Sequence, residues 1–296
     1  MAVLPADVLR QIRRLHLRTR RIVQTALGGE YHSAFKGTGL TFEDVRAYQP
    51  GDDVRRIDWN VTARMNAPFV KRYVEERELT VVLVVDASPS MRFGTGEQSK
   101  RAVVAEAAAV FAVCAAGNND RVGFLSYTDR IERYVPPGKG GRHILRLLRD
   151  ILFFEPEGKT TDFTVALDYL NRIHRRRAIV FFLSDFLGPL PEDLFRRTAC
   201  RHDAIAVRVS DARERSWPNA GLVRLQDAET GRTQVIDTGS PRFREAFLAR
   251  GIAQRAAFEE LCRQAHADRI DLQTDGRHFD AILQFFRSRD RRTRAG

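Results

Sequence analysis

The chain has 296 residues, 43% of them hydrophobic and 29% charged, and its 49 Lys and Arg against 38 Asp and Glu leave a net charge of +11. This balance is that of an ordinary soluble globular protein with one large domain or two modest ones, and it excludes disordered and collagen-like classes. The three cysteines, Cys114, Cys200 and Cys262, are too few and too far apart for a disulfide framework or a CxxC pair, and are expected as reduced core thiols.

The longest nearly apolar run, Val103 to Ala116, is interrupted by Glu106 and falls short of the ~20 residues a membrane-spanning helix needs. Arg10, Arg13 and Arg14 break up the leucines near the N-terminus, so the apolar core of a secretory signal is missing. A cytoplasmic protein is expected. The positive charge gathers at the ends: six arginines lie within Met1 to Leu27 and five within Arg287 to Gly296. Such ends attract phosphates or an acidic protein equally well, so binding of nucleic acid is the alternative to a protein partner. Arg175, Arg176 and Arg177 read as a solvated helix end.

In chain order, Val8, Leu9, Ile12 and Leu15 predict an amphipathic helix within Pro5 to Leu27. Gly28 to Pro68 is irregular, broken by Gly37, Gly39 and Pro50-Gly51. There Asp52 or Asp53 is placed to cap a short helix carrying Val54, Ile57 and Val61, and Ile57 and Trp59 are expected to pack on the sheet. Val81 to Val85 then reads as a strand buried on both faces and ending at Asp86. Helices are predicted over Ser99–Ala116, Arg142–Phe153, Phe163–Ile173, Glu192–Ala199, Pro241–Ala265 and Phe279–Arg287. Strands are predicted over Arg121–Tyr127, Ile131–Val135, Ala178–Leu183, Ala204–Val209 and Ile270–Gln273. The alternation indicates an α/β, doubly wound, mainly parallel sheet. Leu222–Gln226 and Thr233–Ile236 flank a turn and read as a β-hairpin insertion. The division that follows is an N-terminal helix and extension over 1–77, the α/β domain over 78–287 with its insertion at about 218–240, and a mobile basic tail over 288–296.

Asp86-Ala87-Ser88-Pro89-Ser90 stands where the first buried strand runs out, and ligands of open α/β sheets gather at the carboxyl ends of strands. Asp86, Ser88 and Ser90 offer one carboxylate and two hydroxyls in a tight, solvent-facing turn. Thr161, before the helix from Phe163, and Asp185, after the Ala178–Leu183 strand, arrive at equivalent points. All five donors are hard oxygens, suited to Mg²⁺ or Mn²⁺ rather than zinc.

Asp-x-Ser-x-Ser after an apolar strand, Thr161-Asp162 before a helix and Ser184-Asp185 ending another strand resemble the metal-ion-dependent adhesion site (MIDAS) of von Willebrand factor A domains. The block from Gln49 to Asn60, then Thr62-Ala63-Arg64 and Val74 to Thr80, is similar to the bacterial family called domain of unknown function 58. The resemblance implies a von Willebrand A-like fold and a metal held by Asp86, Ser88, Ser90, Thr161 and Asp185. It also implies an adaptor or co-chaperone role with a MoxR-type AAA+ ATPase and a client protein, reached through an acidic side chain. Asp162 is left as a helix cap.

Enzyme readings have little support in the residues. Gly94 to Lys100 lacks the glycine that precedes the lysine of a phosphate loop, and no strand leads into it. HExxH and GxSxG are absent. A metal-dependent phosphoesterase is the remaining enzymatic alternative, but Ser88 stands where its second carboxylate would be needed for acid–base help.

Overall fold

The computed structural model describes residues 14–21, 23, 28–35, 39–65, 67–76 and 78–295. The predicted N-terminal helix is present over residues 14–21; apart from Val23, the rest of Pro5–Leu27 lies outside the described residues.

The described chain divides into two compact units. Phe35–Glu78 is the smaller, and the residues before and after it make up the larger. In the small unit, strands β1 (Gly39–Ala47) and β2 (Phe69–Glu76) pair antiparallel from Ala47↔Phe69 to Gly39↔Glu76. Neither strand is predicted from the sequence: β1 falls within Gly28 to Pro68, expected to be irregular, and β2 follows it. Asp53 caps a short 3-10 helix, Val54–Arg56. Asp58 then accepts from Asn60 N (3.0 Å) and Val61 N (3.2 Å) at the start of helix Trp59–Met65. Trp59 does not pack on a sheet as expected: it is the first residue of a helix with no buried residues and is 69% exposed.

The larger unit holds a six-stranded sheet made of β3 (Thr80–Asp86), β4 (Arg121–Tyr127), β5 (Ile131–Gly138), β6 (Ile179–Ser184), β7 (Asp203–Ser210) and β10 (Asp268–Gln273). The strand order is β10-β7-β6-β3-β4-β5. All pair parallel except β5, which gives the expected doubly wound, mainly parallel α/β fold. The hairpin strands β8 (Leu222–Gln226) and β9 (Thr233–Asp237) form a separate two-stranded sheet.

Successive side chains of a strand point to opposite faces, and two phenylalanines show the consequence. Phe181 stacks on Phe111 of helix Lys100–Gly117, with centroids 4.0 Å apart, and Phe111 meets Phe286 edge-on. Its neighbour Phe182 turns the other way to meet Phe163 and Phe195. Apolar side chains on both faces explain why β3 and β6 read as continuous hydrophobic runs.

Two end features differ from the sequence reading. Tyr31 of helix Gly28–Ala34 donates to Asp120 and packs edge-on to Phe286, so this helix belongs to the large unit rather than to an extension. Residues 288–295, expected as a mobile tail, form the last turns of helix His278–Ala295. There Arg289 pairs with Asp203 and Asp268, Arg292 with Asp268 at 2.8 Å, and Arg287 with Glu30 at 3.1 Å. Cys114 and Cys262 are buried, and burial pushes both thiols up, Cys262 to about 12; Cys200 is exposed.

Candidate metal centre

The first crossover takes the chain from β3 to β4 on one side, and β6 then joins β3 on the other. The crevice of a doubly wound sheet opens at such a reversal, beyond the carboxyl ends of the strands. Asp86 closes β3, Asp185 follows the last residue of β6, and the two strands are direct neighbours.

Asp86 is not solvent-facing: it is 2% exposed. Its Oδ1 accepts the Ser88 backbone N–H at 2.9 Å and its Oδ2 accepts the Ser184 hydroxyl at 2.6 Å. The turn is short because Pro89 opens a 3-10 helix, Pro89–Arg92, one residue after Ser88, where its fixed φ suits a first helical position. The buried Met91 side chain anchors that helix. The Ser88 and Ser90 hydroxyls are thereby brought 3.1 Å apart, and the Ser90 hydroxyl donates to Asp185 Oδ2 at 2.9 Å. Asp185 Oδ1 accepts from Leu187 N at 3.2 Å, and the intervening Phe186 takes a left-handed φ of 52°. A bulky residue in that conformation is strained. The Phe186 ring, stacked on Phe258 at 4.7 Å, is held by packing.

Four of the five sequence-predicted residues are therefore joined by hydrogen bonds. Thr161 lines the same narrow cavity as Ser184 and Asp185, but its hydroxyl donates to Glu229 Oε1 at 2.7 Å. Asp162 caps helix Phe163–Ile173 through Thr164 N, as expected.

Burial, and then the charge of Asp185, raise the Asp86 carboxyl to about 6 against the opposing hydrogen bonds from Ser184 and Ser88. Two neighbouring buried carboxylates are stabilised by a cation between them. The protein supplies one cation itself. Lys100, 1% exposed, donates to Asp185 Oδ2 at 2.6 Å and also pairs with Glu214. Burial pulls its ammonium down, but the charges of Asp185 and then Glu214 outweigh that and hold it above its ordinary value. The loop before Lys100 is tight: a Cβ on Gly94 would meet Gln98 O at 2.5 Å. Ser99 then caps the helix through Ala102 N.

The donors fit a hard divalent ion. Adjacent ligands of an octahedral ion with bonds of ~2.1 Å lie ~3.0 Å apart, and the Ser88–Ser90 and Ser90–Asp185 oxygen separations are 3.1 and 2.9 Å. Among the described residues no group of three His, Cys, Asp or Glu side chains could hold a metal, so the hydroxyls must complete any coordination sphere.

Sequence reasoning named Ser184 and Lys100 but gave them no role, and it missed Glu214 and Glu229 as neighbours of the site. The one available signal was Lys100, a charge opening, with Arg101, the alanine-rich helix whose next turns are buried.

The family model described as protein of unknown function DUF58 matches residues 44–257. Uncharacterized protein Rv1480 of Mycobacterium tuberculosis is 36% identical over 288 residues, covering 96% of this chain and 90% of its own length. An uncharacterized protein of Mycobacterium avium is 37% identical over 164 residues, covering 54% of this chain and 96% of its own. Among solved structures, conserved hypothetical protein BatB from Bacteroides thetaiotaomicron is similar with a TM-score of 0.48 and 14% identity, over 72% of this chain and 99% of its own. The SpRpn10 VWA domain has a TM-score of 0.41 and 12% identity, over 70% and 94%. Among the described residues no helix is long and apolar enough to cross a membrane. By the extent of the family match and the identity shared with the mycobacterial relatives, the chain belongs to the DUF58 family.

Proposed function

We propose that the chain is a non-catalytic, metal-dependent protein-binding module, an adaptor or co-chaperone that works with a MoxR-type AAA+ ATPase and captures the ATPase or its client through an acidic side chain. One observation supports the reading above others. The side-chain oxygens of Ser88, Ser90 and Asp185 form a connected set beyond two adjacent central strands, spaced as neighbouring ligands of an octahedral ion are, with the Asp86 carboxylate bonded to the same turn through the Ser88 N–H. A bound Mg²⁺ or Mn²⁺ supplies a Lewis-acidic position for a carboxylate oxygen. The chain does the orienting: Ser184 and the Ser88 N–H fix Asp86, and Lys100 fixes Asp185. The partner class comes from the family resemblance, and a net charge of +11 favours association with an acidic surface.

Titration calorimetry with Mg²⁺ and Mn²⁺ tests the site, and co-precipitation of a MoxR-type ATPase with and without chelator tests the partner. Binding of the ion by wild type but not by Asp86→Asn, with capture lost in chelator, is expected. Absence of ion binding to the wild type overturns the metal site; capture unchanged by chelator overturns the metal bridge.

A further inference from the structure

The hairpin insertion ends on the candidate site. Its strands β8 and β9 pair only with each other, and Leu222 and Val235 on its outer face are 75% and 62% exposed. A lone two-stranded hairpin with so little burial is marginally stable, so its position depends on its two ends. The base is tied down by the buried Thr238, whose hydroxyl accepts from Ala220 N at 3.0 Å and donates to Gly221 O at 2.7 Å. Arg244 donates to Thr238 O at 2.6 Å. The tip is built to present one side chain. Asp227 Oδ1 accepts from Glu229 N at 3.0 Å and Thr230 N at 2.7 Å, and Gly231 closes the turn with a φ of 69° that disfavours a side chain. The side chain so presented is Glu229, and it accepts the Thr161 hydroxyl, 68 residues away in sequence.

We propose that this hairpin is a strap that closes the site with the chain's own carboxylate, Glu229 taking the position that an acidic side chain of a partner would take. The proposal rests on the metal-site reading above. Two features support it. The Thr161 hydroxyl spends its proton on Glu229 and keeps its lone pairs for a cation. The 2.7 Å between the two oxygens is also close to the ~3.0 Å between neighbouring ligands of one octahedral ion. A hairpin held by its base and one side-chain hydrogen bond can also leave, which turns a permanently open site into a gated one. A partner then has to displace Glu229 before its own carboxylate binds.

Calorimetry with Mg²⁺ and hydrogen exchange over 222–237, both on the full chain, test this with wild type, Glu229→Gln and Glu229→Ala. Both substitutions lie on a half-exposed turn and leave the core untouched. Mg²⁺ is expected to slow exchange of the wild-type hairpin. Both variants should lose that slowing and bind Mg²⁺ about tenfold more weakly, as when a group that completes or orients a metal's shell is removed. Equal or tighter Mg²⁺ binding in the variants, or wild-type exchange indifferent to Mg²⁺, overturns the strap and leaves the metal site standing. No Mg²⁺ binding to the wild type overturns the metal site, and the strap with it.

Discussion

Lys100 Nζ lies 2.6 Å from Asp185 Oδ2 with both side chains nearly inaccessible to water. The protein thus keeps an ammonium of its own on a carboxylate that the proposed function gives to the metal. Removing one partner of a buried ion pair leaves the other charge uncompensated and costs about 3–5 kcal/mol. Lys100→Met should lower stability by that order in chelator. The freed carboxylates of Asp185 and Glu214 should then draw Mg²⁺ more strongly, so Mg²⁺ recovers more stability in the variant than in wild type. Thermal unfolding with and without Mg²⁺ measures both; an equal loss in the two conditions would show that ammonium and ion do not share Asp185.

Burial of Asp86 separates two substitutions that a solvent-facing turn would not. Asp86→Ala leaves the Ser88 N–H and the Ser184 hydroxyl without their acceptor, at a cost of about 1–3 kcal/mol. Asp86→Asn keeps an acceptor for Ser88 and removes a buried charge beside Asp185, so it should unfold within about 1 kcal/mol of wild type while losing Mg²⁺. Urea unfolding of the two variants side by side checks the order.

His202 provides a stability test away from the site. It is buried, and neither ring nitrogen has a hydrogen-bond partner among the described residues. Burial first, then the charges of His174, Arg201 and Arg177, push its pKa down to about 4. The unfolded chain therefore takes up a proton that the folded ring refuses. The stability involved is present above pH ~6.5 and is lost as pH falls toward the folded value. His202→Leu should gain about 2 kcal/mol on wild type between pH 8 and pH 5, read from unfolding midpoints across that range.

Trp59 stands exposed on the small unit, between Val54 at 60% and Met65 at 61% exposure in the chain. Truncating an exposed side chain changes stability by no more than about 0.5 kcal/mol. Trp59→Ala should therefore leave the melting temperature nearly unchanged. A large drop would mean that the side chain is covered in solution.

Three arginines of the C-terminal helix, Arg287, Arg289 and Arg292, are held in ion pairs. Arg289 pairs with Asp203 and Asp268, at the starts of β7 and β10, and donates to Ala34 O at 3.1 Å. Arg289→Ala should cost about 1–3 kcal/mol. Truncation before Arg287 should lower the melting temperature rather than alter only the salt dependence of binding.

What the sequence determined by itself is what local pattern encodes. Val81–Val85 and Ala178–Leu183 read as strands covered on both faces because they are short, continuous and apolar, so the doubly wound sheet followed, and with it the placing of Asp86 and Asp185 at strand ends. Ser88 and Ser90 followed from their spacing in one turn. The β1–β2 pair escaped because its residues pair across a loop and lack a long apolar run. The C-terminal helix continues past Arg287 because its arginines find carboxylates on β7 and β10, partners that no periodicity announces. The same holds at the site. Lys100 on Asp185 and Glu229 on Thr161 join residues 85 and 68 positions apart, and only the folded sheet, with helix and hairpin packed around it, brings such charges and hydroxyls within bonding distance.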